Sequence, residues 1–285
     1  MTLPSFNLVA QSILSGIFIG ALYGLVGLGL SLSWGMLRQI NLAHFALAFL
    51  GAYLTYQLGA TYHMDPVLTL VVIVPAFFVI GMAIQWVFAK FAVTPFNSLL
   101  VTFGLTVIVE SLIQWIWTAD YRKLEYAYAS VKFKVGPLFV PLPELLTLLI
   151  AAGLSIGTWA LLRYTYLGKA MRAAVEDAPI AAAFGINERG LALLLSGVSA
   201  AFAGVAGMCL ALSFTLAPSQ IYTWVGVVFA AVIIGGLGNP LGPLIAGIVI
   251  GVSEALTMAL TAPAWAPLVS FSLLILVLLF RPGKI

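Results

Sequence analysis

From Gly190 to Ser253 the chain contains no Asp, Glu, Lys or Arg, and from Met1 to Leu37 it contains none either. A water-soluble fold must place charge on its surface every few residues, so runs of this length identify lipid as the solvent. A helix that crosses the hydrocarbon core needs about 20 mainly apolar residues, and the chain supplies such segments repeatedly. The whole sequence agrees: 63% of its 285 residues are hydrophobic and 7% are charged, where soluble domains carry about a quarter charged residues. The fold class expected is therefore all-α: a polytopic integral membrane protein with about 8–10 transmembrane helices in one bundle. No linker or shift of composition divides it, so residues 1–285 read as a single transmembrane domain.

The apolar segments centre on about nine spans, roughly 9–33, 39–57, 67–89, 97–118, 144–162, 190–212, 222–238, 243–261 and 265–280. The second and seventh are short, which allows a break or a tilt. Basic residues favour the cytoplasmic side. With Arg281 and Lys284 placed inside, Arg38, Lys90, Arg163, Lys169, Arg172 and Arg189 also fall inside, and only Arg122, Lys123, Lys132 and Lys134 fall outside. An odd span count then puts the N-terminus outside. The N-terminal run lacks a basic start and stays apolar too long for a cleaved signal peptide. The net charge of +3 is explained by this sidedness and does not suggest a nucleic-acid partner. The lone Cys209 excludes an internal disulfide.

Small residues recur at four-residue spacing as Gly16, Gly20 and Gly24, as Ala203, Gly207 and Ala211, and as Gly247, Gly251 and Ala255. Glycine lets helix backbones approach, so these stripes predict packing within the bundle, with a dimer face as the alternative. Two segments exceed an ordinary turn. Residues 119–143 lie outside, with alternation at Val131, Phe133 and Val135 that predicts a short extended piece. Residues 163–189 lie inside and carry most of the inner charge. Within them Lys169, Arg172 and Glu176 share a helical face, and Arg172 and Glu176 form an i,i+4 pair. Asp177 followed by Pro179 reads as a second helix start, and Gly185 as its stop. The pattern predicts two short bent helices, either a solvated loop or a rigid docking element.

This inner segment, LGKAMRAAVEDAPIAAAFGIN, resembles the coupling loop of ABC importer permeases, and most closely those of the branched-chain amino-acid (LivH/LivM) family. Gly24 to Tyr56, GLVGLGLSLSWGMLRQINLAHFALAFLGAYLTY, resembles the family's first two spans. Ala230 to Leu256, AAVIIGGLGNPLGPLIAGIVIGVSEAL, resembles its glycine-rich hairpin, and FRPGKI its C-terminus. The likeness covers nearly the whole chain, and its length is similar to the LivH-like subunit. The resemblance implies a multi-pass permease of a bacterial inner membrane. Its implied partners are a second permease subunit (a paralogue or a second copy), two cytoplasmic ABC ATPase subunits and a periplasmic solute-binding protein. ATP and Mg would be bound by the ATPases, leaving this chain without a cofactor and without catalysis of its own. The coupling residues it implies are Gly168, Lys169, Arg172, Ala173, Glu176, Asp177, Ala181 and Gly185.

Asn41, His44, Ala48, Gly51 and Thr55 fall on roughly one helical face, and strongly polar groups inside a membrane usually face its interior or a cavity. With Glu110 they form the candidate substrate pathway; bonding of Asn41 and His44 to nearby backbone is the alternative. Phe45 stands where the resembled family usually has glycine. Glu110 and Glu254 are the acidic residues deep in expected spans, and each would be costly against lipid. With His63 as the sole other histidine, no metal site is expected. The glycine-rich run Ile234 to Pro243 lacks the Gly-Lys-Ser/Thr ending of a phosphate loop, so it reads as a tight hairpin. The function expected is import of branched-chain or related amino acids. The same architecture serving urea, short amides or small carboxylates is the first alternative, and a self-sufficient secondary transporter or channel the second. An intramembrane enzyme is a poor third for want of any catalytic set.

Overall fold

The structure is a computed structural model that describes residues 6–280 apart from 92 and 262. Arg281, Lys284 and the FRPGKI ending beyond residue 280 lie outside the described residues. The long helices are α1 (Phe6–Leu37), α2 (Ala43–Tyr62), α3 (Leu70–Lys90), α4 (Pro95–Trp117), α5 (Leu142–Tyr164), α8 (Glu188–Ser213), α9 (Ile221–Gly235), α10 (Gly242–Leu260) and α11 (Ala266–Phe280). Each coincides with one of the expected spans. Seven of them are long and apolar enough to cross a membrane, counting the short 3-10 turn that leads into α9. The other two are α2, with 20 residues, and α11, with 15. Between α5 and α8 lie α6 (Tyr166–Glu176) and α7 (Ala178–Ala183). The chain is a multi-pass membrane protein: in hydrocarbon every backbone polar group needs an internal partner, and helices supply it within one segment.

The interior is built where helices can touch backbone to backbone. Gly16, Gly20 and Gly24 of α1 face Gly251, Gly247 and Leu244 of the antiparallel α10, and a Cβ on Gly20 would stand 2.4 Å from the Gly247 carbonyl oxygen. Gly207 of α8 meets the Ala48 carbonyl of α2 in the same way. The glycine stripes are thus consumed inside this chain. Serine hydroxyls add bonds across these seams: Ser199 donates to the Gly29 carbonyl at 2.7 Å and Ser196 to that of Gly81 at 2.9 Å. Around this interior, α3, α4 and α5 expose large apolar side chains such as Val71, Trp115 and Leu149, the surface expected of a lipid-facing rim.

Hydrogen bonds sort the helix ends onto two sides. On one side Gln11, near the start of α1, exchanges bonds with the backbone of Phe139 at 3.0 Å. Arg122 pairs backbone to backbone with Leu216, Tyr126 donates to the Leu212 carbonyl and Tyr128 to Asp65. Burial, with the Asp65 carboxylate adding to it, holds the Tyr128 phenol up at about 12, so it stays a neutral donor at ordinary pH. On the other side Arg38 donates to the Val175 carbonyl at 3.2 Å, and Arg163 and Arg172 border one cleft with Asn239 and Pro240. This reproduces the relative sidedness read from charge, with the start of α1 on the side of residues 119–143. The alternation at Val131, Phe133 and Val135 becomes an antiparallel hairpin of β1 (Lys132–Val135) and β2 (Leu138–Pro141), turned at Gly136.

Candidate functional site

Two features stand out from the bundle: a capped elbow on the side of Arg38 and an aromatic cavity toward the side of Arg122. The elbow is specified locally. Thr165 caps α6 by accepting from the Gly168 N–H at 3.1 Å, and Asp177 caps α7 by accepting from the Ile180 N–H at 3.0 Å. An acceptor at that position satisfies an orphan donor of the first turn. The α7 stop is a Schellman motif: Gly185 takes φ +84°, its N–H bonds to Ala182, and the Ile186 N–H bonds to Ala181. Asn187 then caps α8 through the Gly190 N–H. With a cap at each junction, α6 and α7 form a rigid bent unit strung between two long helices.

Several expectations about this unit change. Gly168 lies in the first turn of α6, where a Cβ would stand 2.2 Å from the Leu162 carbonyl oxygen. Its role is clearance against the end of α5. Arg172 and Glu176 form no ion pair among the described residues, because Arg172 borders the cleft with Asn239 and Glu176 borders a separate cavity toward α1 and α3. Lys169 lies over the Tyr166 ring at 5.3 Å. Ala173 is exposed, but Ala181 is buried against the chain and is not free to enter a groove. The exposed apolar groups of α7 are instead Ile180, 56% exposed, and Phe184, 84% exposed. The sequence reading missed both, although each is a large apolar residue in a segment otherwise made of alanine.

Among the described residues, the polar set near the start of α2 packs within the helix bundle. Asn41 precedes the helix, and its Oδ1 is buried without a partner. His44 is fully buried against α1, with Nε2 2.9 Å from the Val26 carbonyl. Ala48 and Gly51 pack on Gly207 and Gly204 of α8, and Thr55 donates to its own helix at Gly51. Phe45 is buried and stacks on Phe229, with centroids 5.9 Å apart. Glu110 is not brought to these residues. It accepts from Tyr222 of α9 at 2.7 Å and from Gln114 at 3.2 Å. Glu254 is buried and takes bonds from Tyr23 of α1 and Ser270 of α11, which ties three helices together.

The cavity of about 310 Å³ lies between α1, α2, the end of α8 and α9. Tyr23, Phe49, Phe214 and Trp224 wall it, and Gln220 and Thr223 are its polar groups. The Trp224 indole meets both Tyr23 and Phe214 edge to face at 5.5 Å. Phe214 is shared with a neighbouring cavity of about 230 Å³ that reaches Ser15 and Glu144. Leu216 lines the first, and Pro141 and Glu144 line the second, so both lie near the side of Arg122. Among the described residues no group of three or more His, Cys, Asp or Glu could hold a metal.

A bundle of this kind, with an apolar rim, a small aromatic-walled cavity and a capped elbow on the opposite side, has the build of a transport permease. The chain belongs to the family described as the permease component of the branched-chain amino acid transport system, whose family model matches residues 12–278. It is similar to the high-affinity branched-chain amino acid transport system permease protein LivH of Salmonella typhimurium, at 28% identity over 96% of this chain and 94% of that protein. It is also similar to BraD of Pseudomonas aeruginosa, at 24% identity over 99% and 97%. The probable branched-chain amino acid transport permease protein LivH of Methanocaldococcus jannaschii is 29% identical over 97% and 92%. No solved structure matches the chain.

Proposed function

We propose that this chain is the transmembrane permease subunit of an ABC importer for branched-chain or closely related amino acids, resident in a bacterial inner membrane. A periplasmic binding protein supplies the solute at the side of residues 119–143. A second permease subunit, a paralogue by family resemblance, completes the pathway. Two cytoplasmic ATPase subunits bind ATP and Mg and carry out hydrolysis. The names of the relatives support the solute class, and the observation that carries the drive is the elbow. A helix unit capped at every junction transmits displacement, whereas a floppy loop absorbs it. Its exposed tip, Ile180 and Phe184, is the apolar surface a groove on an ATPase would bury. The aromatic cavity suits a solute whose bulk is an aliphatic side chain, with Gln220 and Thr223 to receive its polar end.

The test is reconstitution of the permease pair with its ATPases and binding protein in proteoliposomes. ATP-dependent accumulation of labelled leucine is the expected result, and Phe184→Glu should remove it together with co-purification of the ATPases. Accumulation driven by an ion gradient in the absence of ATPase subunits would establish a secondary transporter instead.

A further inference from the structure

A further cavity, of about 510 Å³, lies on the inner side beneath the elbow, within the roughly 300–1,000 Å³ range of small-molecule sites. Its wall comes from four separate parts of the chain: the end of α1 and the link that follows, the inner part of α3, the α6–α7 bend and the start of α8. We infer that this cavity is a binding site for a small aliphatic zwitterion on the cytoplasmic side, the chemical class proposed above as cargo, so that product accumulating inside restrains the elbow.

The wall carries each of the three chemistries such a molecule needs. Arg38 offers guanidinium donors for a carboxylate; one Nη already bonds the Val175 carbonyl at 3.2 Å, which holds the head at the elbow and leaves its other donors unused. Glu176 and Glu188 offer carboxylates for an ammonium group, one from the bend and one from the start of α8. Met171 and Leu195, 6% and 5% exposed, form an apolar floor for an aliphatic chain. The decisive residue is Gln85. It lies in α3, is 7% exposed, borders the cavity, and among the described residues its side-chain amide has no hydrogen-bond partner. That amide keeps contact with the cavity and offers a ligand both a donor and an acceptor.

The position gives occupancy a consequence. A ligand held by α3, α8 and the bend at once ties the moving elbow to the long helices. It shifts the transport cycle only by as much as it prefers the tied state. The inference rests on the amino-acid importer reading. It is separable from that reading because it concerns solute on the ATPase side.

The experiment uses the complete transporter in proteoliposomes with the ATPases facing the bath, and with binding protein and leucine sealed in the lumen. ATP hydrolysis is followed as leucine is added to the bath. Hydrolysis should fall by about fivefold or more, the lower end of ordinary coupling between sites. Isovalerate, which lacks the ammonium, and isopentylamine, which lacks the carboxylate, should have no effect at the same concentration. Gln85→Met and Glu188→Gln should each abolish the response to bath leucine, and either alone suffices if the other fails to assemble. Hydrolysis stimulated from the lumen but indifferent to bath leucine overturns the inference and leaves the importer reading intact. So does inhibition by isovalerate equal to that by leucine, or a full response in both variants. If leucine-loaded binding protein in the lumen elicits neither hydrolysis nor transport, the importer reading fails and this inference falls with it.

Discussion

Helices α1 and α3 have similar mean hydropathy over their most apolar stretches, 2.1 and 2.4, yet 67% of the first stretch is buried and only 22% of the second. The same contrast separates α8, 78% buried at 2.0, from α5, 22% buried at 2.1. Hydropathy places a helix in the membrane and says nothing about which neighbour it has there, because lipid tails are as apolar as leucine. What distinguishes the interior is the close approach of small residues, with hydroxyl-to-carbonyl bonds across the seams. The rim carries Phe, Trp, Val and Leu on its open faces.

The comparison breaks most sharply at the α1–α10 seam. A Cβ on Gly20 already meets the Gly247 oxygen at 2.4 Å and the Ile248 Cα at 2.5 Å. Overpacking of a core costs about 1–3 kcal/mol when side chains can yield, and here the obstacle is backbone. Gly20→Val should therefore abolish recovery of monodisperse protein, read by fluorescence-detected size-exclusion chromatography. Recovery at the parental level would mean that the seam can open, and the interior would be no tighter than the rim.

Legibility followed the same division between local and assembled features. The elbow could be read from Asp177, Pro179 and Gly185 because caps and stops are written within a few residues of the atoms they satisfy. The spans were readable because lipid enforces their length and polarity. The aromatic cavity was not, since Tyr23, Phe49, Phe214 and Trp224 come from distant segments. His44 reads from sequence either as a pathway group or as a partner of nearby backbone, and its Nε2 lies 2.9 Å from the Val26 carbonyl. Its spacing with Asn41 and Ala48 marks one face correctly, but that face turns toward α1 and α8, and periodicity cannot tell a wall of the bundle from the wall of a cavity. Ala181 and Ile180 are neighbours of similar apparent role, and only packing decides that one is buried and the other exposed.

A smaller effect is expected at the junction of α5 and α6. At Gly168 the added methyl would meet the Leu162 carbonyl oxygen at 2.2 Å and its Cα at 2.4 Å. These atoms lie at the end of α5, beside the exposed residues 163–166 and away from the glycine seams of the interior. Gly168→Ala should leave membrane levels unchanged while lowering ATP-driven uptake, because the added methyl displaces α6 from the end of α5. Uptake at the parental rate would show that the α5–α6 junction is compliant.

Glu254 tests the polar side of the interior. It accepts from Tyr23 and Ser270, and so joins α1, α10 and α11. Glu254→Leu leaves both hydroxyls without that acceptor, at about 1–3 kcal/mol for a buried group left unsatisfied. The melting temperature in detergent should fall by several degrees, with Glu254→Gln closer to the parent because an amide oxygen can still accept. Equal losses in the two variants would assign the cost to charge rather than to hydrogen bonding.

The smallest effect is expected on the rim itself, at Gly157 in α5. Like Gly104 and Gly153, it has nothing within 4 Å of an added Cβ. Alanine there meets no neighbour, and within a helix it is favoured over glycine by about 0.5–1 kcal/mol because it loses less backbone freedom on ordering. Gly157→Ala should thus hold or slightly raise the melting temperature of the isolated subunit, whereas the same methyl at Gly20 should lower it. The sign of the difference matters more than its size, since the two glycines share a residue type, a helical setting and a similar local hydropathy. A clear loss of stability at Gly157 in the isolated subunit would mean that the rim packs against this chain more closely than its open surface shows. A loss confined to the assembled transporter would place a partner helix, rather than lipid, against that face of α5.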